Sequence, residues 1–117
     1  MKVGTMLLFP VRLFYSWLFF PVYKKRLATA VASLCESHAK ILDVGCNDGY
    51  VASLIMAQNP TLSITGVDIQ ENMPARIDRK LYDGKHLPFP DNSFDIVMAL
   101  DVLHHTKDIK TLLADMK

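Results

Sequence analysis

Segments rich in apolar and β-branched residues alternate along the chain with segments in which apolar residues recur at helical spacing. The first kind predicts strands at residues 41–44, 62–68 and 94–100. The last of these is almost continuously apolar, as in a parallel strand that is covered on both faces. Steps of three and four residues predict helices at residues 27–37, from residue 51 and from residue 109. Strand and helix therefore alternate, which predicts an α/β fold of mostly parallel strands with flanking helices.

The first strand, residues 41–44, runs into a turn that contains Gly45, Asn47 and Gly49. Glycine has no Cβ, so the backbone can take positive φ and a ligand can approach closely. Asparagine tolerates the left-handed region better than most residues. A helix follows at once, with Asn47 or Asp48 as its N-cap. This order of strand, turn and helix is typical of nucleotide-like ligand sites in α/β sheets, and an ordinary βα turn is the alternative.

Asp68 stands at the C-terminal end of the second predicted strand. A carboxylate there can accept hydrogen bonds from both hydroxyls of a ribose. The alternative is a strand-end residue that caps the next turn. The interval from Asp68 to Asp83 is too short for a full helix and strand, so we expect a loop or one helical turn and then a short strand at about residues 80–82.

Residues 3–23 are almost all apolar, with Arg12 as the only charge, and three basic residues follow at 24–26. The length approaches that of a bilayer-spanning helix, but Arg12 and Pro10 near its middle argue against spanning. A signal peptide is disfavoured because the basic residues follow the apolar run. We expect an apolar N-terminal helix that either covers the sheet or binds a membrane surface through residues 3–26.

The chain divides on this basis into an apolar, basic-flanked segment, 1–26, and a folded unit, 27–117. The net charge is +1, yet residues 1–40 carry six Lys and Arg against one Glu, while the rest of the chain is acidic. An acidic folded unit argues against nucleic acid as its partner. Cys35 and Cys46 form no disulfide framework. Free thiols favour a cytoplasmic protein, with peripheral binding at the cytoplasmic face of a membrane as the alternative.

Three segments give the chain a resemblance to class I S-adenosylmethionine-dependent methyltransferases, most of all to the type 11 group of quinone and small-molecule methylases. Residues 41–49 are similar to the first motif of this family, and residues 66–69 match its second-strand motif. The most specific match is Leu-Pro-Phe-Pro-Asp-Asn-Ser-Phe-Asp-Ile-Val at residues 87–97, which separates this family from nicotinamide dehydrogenases. The resemblance covers about residues 27–117 and implies a partial Rossmann-like sheet, truncated at its C-terminus.

The resemblance implies S-adenosyl-L-methionine as the cofactor and assigns eight residues to it. Those that would surround the methionine part are Asp43, Gly45, Asn47 and Gly49. Asp68 would hold the ribose, Ile69 would flank the adenine, and Asp83 would accept from the adenine amino group. The backbone at Leu100 would approach the sulfonium. The chain departs from the family pattern at Asn47, where glycine is usual, and in the shortened segment after Asp68.

The expected function is methyl transfer to a small or lipid-like acceptor. Because the leaving group is so activated, holding the nucleophile and the methyl group in line can suffice. His104 and His105 are weak candidates for a general base, and stabilisation of their loop is the alternative. Two adjacent histidines do not make a metal site, so we predict no metal. A truncated non-catalytic remnant and a membrane-associated binding protein are the alternative functions, and the oligomeric state is left open.

Overall fold

The computed structural model describes residues 3–9, 20–71, 73–100 and 109–116. These residues form five strands and three helices, in the order β1 Val3–Phe9, α1 Phe20–Leu34, β2 Lys40–Val44, α2 Tyr50–Gln58, β3 Ser63–Asp68, β4 Asp78–Leu81, β5 Phe94–Leu100 and α3 Ile109–Met116. The strands form one sheet in the order β1-β5-β2-β3-β4, and every pair of neighbours is parallel. The predicted α/β class with a mostly parallel sheet is therefore confirmed.

Strand β2 lies in the middle of the sheet, between β3 and β5. In register, Asp43 lies beside Gly66 on β3 and Met98 on β5. After β2 the chain builds outward through β3 and β4 on one side, whereas β5 lies on the other. The strand order thus reverses at β2, and ligands of open α/β sheets bind at the carboxyl ends of the strands at such a point.

The core consists of two apolar clusters, one on each face of the sheet. Neighbouring residues on β2 belong to opposite clusters, because Ile41 packs with Val31 of α1 and Ile55 of α2, while Leu42 packs with Leu112 of α3. All five side chains are fully buried. Burial of each large aliphatic side chain contributes about 1.5–3 kcal/mol. A central strand that is covered on both faces explains why the apolar residues of β2 and β5 do not alternate with polar ones.

The predicted apolar N-terminal helix is wrong for Val3–Phe9, which forms the edge strand β1. This strand pairs with β5 from Val3 beside Phe94 to Phe9 beside Leu100. An uninterrupted apolar run has no period that separates a strand from a buried helix. Here the free edge of β5 offers backbone partners that β1 satisfies. Residues 10–19 of the predicted helix lie outside the described residues.

Helix α1 begins at Phe20, earlier than the predicted start at residue 27. It runs through residue 26, where the sequence analysis divides the chain, and the division into 1–26 and 27–117 stays a prediction. Within the described part of the chain, no helix combines the length and the apolar character needed to cross a bilayer. Membrane binding through residues 3–26 stays a prediction as well.

The segment between β3 and β5 has the predicted order of a loop followed by a short strand. A loop follows Asp68, and the short strand β4, Asp78–Leu81, begins two residues before the predicted position. It pairs in parallel with β3, and the Tyr82 N–H donates to the Asp68 carbonyl at 3.2 Å. The loop and β4 therefore lie beside the carboxyl end of β3, where the predicted ligand residues gather.

Candidate ligand-binding site

An open cavity lies at the carboxyl end of β2, where the strand order reverses. Its empty volume is about 620 Å³, part of which opens to solvent. The cavity is lined by four of the eight predicted cofactor residues, Asp43, Gly45, Asn47 and Leu100. The structure thus brings together the turn after β2 and the end of β5. The other four predicted residues, Gly49, Asp68, Ile69 and Asp83, are not part of this lining.

The turn between β2 and α2 takes positive φ at three positions, Gly45 (73°), Asn47 (57°) and Gly49 (82°). Asparagine is among the residues that tolerate this region, so Asn47 fits the turn despite the glycine that is usual in the family. The N–H groups of Gly45 and Cys46 both donate to the Val67 carbonyl, at 2.8 and 3.1 Å. The turn is therefore held to the end of β3 before any ligand binds.

Gly49 has a packing role that the sequence analysis did not anticipate. It is buried behind the turn, and a Cβ placed on it would lie 2.6 Å from Cγ1 of Ile77. The N–H of Gly49 donates to the Cys46 carbonyl at 2.9 Å. Gly49 thus lets the loop before β4 pack against the turn, and its predicted direct contact with the methionine part stays a prediction.

Asp43 is the buried acid of the cavity, with 4% of its surface exposed. Burial and, secondarily, the negative charge of Asp68 raise its pKa to about 7. Near neutral pH its carboxyl group is therefore poised between the neutral and ionised forms. A cationic group in the cavity would favour the ionised form.

Asp68 is also buried, and its carboxylate joins the two loops at this edge of the sheet. Oδ2 accepts from the Asn47 N–H at 2.8 Å and Oδ1 from the Gln70 N–H at 3.0 Å. Asp68 therefore has the turn-capping contacts that the sequence analysis gave as the alternative, and its predicted contact with a ribose stays a prediction. An ionised carboxylate has about four lone-pair sites, so acceptor capacity remains for the ribose hydroxyls of the predicted ligand.

Ile69 and Asp83 do not line the cavity. The Ile69 side chain is 60% exposed. A Cβ placed on Gly84, the residue after Asp83, would lie 3.5 Å from Cγ2 of Ile69, so Ile69 and Gly84 lie side by side. The Asp83 carboxylate accepts from the N–H groups of Lys85 and His86 and contacts the His86 ring. The backbone N–H of His86, then its ring, then the N–H of Lys85 hold the pKa of Asp83 well below its usual range.

Helix α1 supplies a wall of the cavity that the sequence analysis missed. The lining residues from α1 are Tyr23, Lys24 and Leu27. Their spacing of three and four residues, which places them on one helix face, was the available signal. It was obscured because the helix was expected to begin at residue 27 and the basic residues were assigned to a membrane flank.

The rim of the cavity carries a small charge network around Tyr50. Lys24 Nζ and Arg76 Cζ each lie 5.2 Å from the centroid of the Tyr50 ring. Arg76 also pairs with Asp48, at 3.4 Å between Nε and Oδ2. The cavity lining also includes the carboxyl group of Asp43 and the ammonium group of Lys24.

Cys46 lines the cavity without chemistry of its own. It is 7% exposed, and burial, followed by the charges of Asp43 and Asp68, raises its pKa to about 12. A neutral thiol is a poor nucleophile and a poor metal ligand. Across the part of the chain that the structure describes, no three His, Cys, Asp or Glu residues cluster as metal ligands. His104 and His105 lie outside the described residues.

Comparison with known proteins agrees with this geometry. Residues 42–117 match the sequence model of a protein family described as a methyltransferase domain. The chain is 38% identical over 88 residues to a tRNA U34 carboxymethyltransferase of Nautilia profundicola, with coverage of 66% of this chain and 29% of the relative. It is 33% identical over 98 residues to a 27-O-demethylrifamycin SV methyltransferase of Amycolatopsis mediterranei, with coverage of 71% and 36%.

A solved structure of a SAM-dependent methyltransferase from Aquifex aeolicus has the same fold. It superposes with a TM-score of 0.65 at 17% identity, over 81% of this chain and 64% of that one. The chain spans only about a third of the length of the two relatives above. The family match, in contrast, covers most of the chain and includes the turn, Asp68 and β5. The chain therefore belongs to the methyltransferase domain family, whose cofactor is S-adenosylmethionine.

Proposed function

We propose that the chain binds S-adenosylmethionine at the end of β2 and forms the cofactor-binding half of an enzyme that methylates a small or lipid-like acceptor. The observation that carries this proposal is the charge pattern of the site. The cavity is lined by a buried carboxyl group, that of Asp43, and by a cation, Lys24. A second buried carboxylate, Asp68, stands at the end of the neighbouring strand β3. This pattern is complementary to a ligand that joins a zwitterionic amino acid to a ribose.

The amino-acid end of the ligand fits the cavity. Asp43 is placed to attract the ammonium group, because a buried carboxylate gains most from a cationic partner. The Lys24 ammonium and the N-terminus of α2 favour the carboxylate group. When bound, the cofactor supplies a methyl group on a positively charged sulfur. The residues present need only orient it and keep the amino-acid end in place.

The nucleoside end fits the surface beyond Asp68. The remaining lone pairs of Asp68 can accept from the ribose hydroxyls, and the exposed side chain of Ile69 offers an apolar face to a flat ring. Asp83 is proposed to accept from the adenine amino group. Its three contacts within its own loop leave about one acceptor site of the carboxylate for that bond.

The acceptor class is a proposal that rests on fewer observations. One relative is named for an antibiotic precursor and the other for a tRNA, so nucleic acid is an acceptor class that the experiment must include. The end of β5 at Leu100 lines the cavity, and the acceptor would approach from this side. His104 and His105, which follow it in the chain, remain candidates for a general base. We place the protein in the cytoplasm, as expected from its free thiols.

Transfer of a radiolabelled methyl group tests the proposal. Labelled cofactor and the chain would be incubated with a lipid extract, with polar metabolites and with total tRNA. We expect label in one of the first two fractions and its loss in Asp68→Asn. Asp95→Asn is a matched control, since Asp95 also accepts a backbone N–H, that of Lys40 at 2.8 Å, but at the opposite end of the strands. Label in tRNA alone would overturn the acceptor class, and no label in any fraction would contradict transfer.

A further inference from the structure

Arg79 and Asp68 both form hydrogen bonds with the backbone of residues 47 and 70. The N–H groups of Asn47 and Gln70 donate to the Asp68 carboxylate, at 2.8 and 3.0 Å. The carbonyl of Asn47 accepts from Arg79 Nε at 3.0 Å, and the carbonyl of Gln70 accepts from Arg79 Nη2. The four residues therefore form a closed ring of hydrogen bonds between the turn after β2 and the loop after β3.

The Arg79 side chain is slightly more buried than the side chain of Asp68, which it faces. Its exposed fraction is 8%, against 11% for the side chain of Asp68, and Nη2 lies 3.9 Å from Oδ1. A guanidinium group presents several donors in a fixed plane, so it can serve two carbonyls at once and still face an anion. A lysine ammonium on a flexible stem cannot reproduce this arrangement.

Arg79 reaches the turn from two strands away. It lies on β4 in register with Gly66 of β3, and Gly66 lies beside Asp43 of β2. The sheet has no side chain at residue 66, and a Cβ placed there would collide with Sγ and Cβ of Cys46. Thus β4, which carries no motif of the family, is tied to the residues that form the proposed cofactor site.

We propose that Arg79 is a positioning residue, which holds residues 47 and 70 so that the Asp68 carboxylate presents its remaining lone pairs to the ribose diol. This inference rests on the proposed function. Loss of the guanidinium leaves the carbonyls of residues 47 and 70 without their charged donor and removes the cation that lies 3.9 Å from the Asp68 carboxylate. The carboxylate then keeps its two backbone donors, but their positions are no longer fixed. Recognition of the ribose hydroxyls should suffer more than affinity for the rest of the nucleoside.

Binding of 5′-methylthioadenosine and of its 2′-deoxy analogue separates positioning from a general loss of stability. We expect the wild-type chain to prefer the ribose form by tenfold or more, as expected when a buried polar group loses its partner. In Arg79→Gln the preference should fall at least fivefold. Arg26→Gln is the matched control, because Arg26 is an exposed arginine of α1 that does not line the cavity. It should keep the preference.

Arg79→Lys provides a second variant in case Arg79→Gln does not fold. It keeps the positive charge but not the planar set of donors, so its preference should also fall. An unchanged preference in either variant, when circular dichroism shows a folded chain, would overturn the inference while leaving the proposed function intact. Failure of folded wild-type chain to bind either nucleoside would overturn the proposed function, and the inference with it.

Discussion

Replacement of Asp43 by asparagine should stabilise the fold above neutral pH and weaken ligand binding at the same time. Asparagine has nearly the shape of aspartate but never ionises. Asp43 is buried, and burial followed by the charge of Asp68 raises its pKa from 3.8 to about 7. The native protein therefore retains a proton that the unfolded chain releases between these two pH values. Its free energy of unfolding must decrease as the pH rises through this interval and stay low above pH 7.

The magnitude follows from the width of the interval. Each pKa unit corresponds to about 1.4 kcal/mol, so the rise of the Asp43 pKa from 3.8 to about 7 lowers the free energy of unfolding by at most about 4 kcal/mol. Relaxation around the pair of carboxylates reduces this figure, so we expect a gain of about 1–3 kcal/mol for Asp43→Asn at pH 8. Below about pH 3.8 the carboxyl group is protonated in both the native and the unfolded wild-type chain, so wild type and variant should be nearly equal in stability.

Urea denaturation at several pH values between about 4 and 8 measures this difference. The quantity of interest is the free energy of unfolding of the variant minus that of wild type, because other titrating groups cancel in it. Asp78→Asn is the control, since Asp78 is exposed at the start of β4. A difference that does not change with pH, or a variant that is less stable than wild type at pH 8, would refute the account of Asp43.

Three further predictions follow from the same site. The affinity for S-adenosylhomocysteine, measured by calorimetry, should be about tenfold weaker at pH 6 than at pH 8. The reason is that the Asp43 carboxyl group, with a pKa of about 7, is mostly neutral at the lower pH. The control ligand 5′-methylthioadenosine has no amino-acid end and should show no such trend. Gly49→Ala should cost about 2–4 kcal/mol in urea denaturation, because its positive φ and the close Ile77 side chain both oppose a Cβ. Gly84→Ala, which has positive φ but would make only an ordinary van der Waals contact at 3.5 Å, should cost about 1–2 kcal/mol. Equal losses would refute the packing role of Gly49. A thiol reagent at pH 8 should modify Cys35 in the native chain and reach the buried Cys46 only on unfolding. Detection of Cys46 adducts in the native chain by mass spectrometry would contradict the burial of Cys46.

The central strands were predictable because burial on both faces leaves a plain signature, an apolar run followed by a turn. The edge strand β1 was not, since its apolar run fits a helix equally well and only its pairing with β5 decides between them. Helix α1 was placed too late because Lys24 and its basic neighbours resemble a membrane flank. The misplaced start also concealed Tyr23 and Lys24 as residues of the cavity wall.

The site was predictable where a residue acts through its place at the end of a strand. Asp43, Gly45 and Asn47 line the cavity and Asp68 ends β3, while their contacts with a cofactor stay predictions. The contacts of Gly49 and Arg79 could not be predicted, because they join segments whose relative register the sequence does not encode locally. Arg79 belongs to a short charged interval without apolar periodicity, and only the pairing of β4 with β3 brings it to the turn.

Calorimetric titration of the chain with S-adenosylhomocysteine, beside Asp68→Ala, tests the central claim most directly. The account predicts micromolar binding to the wild-type chain and its loss in the variant, with both chains folded by circular dichroism. A folded wild-type chain that binds no ligand, or a variant that binds as tightly as wild type, would contradict the claim that the end of β2 and Asp68 form a cofactor site.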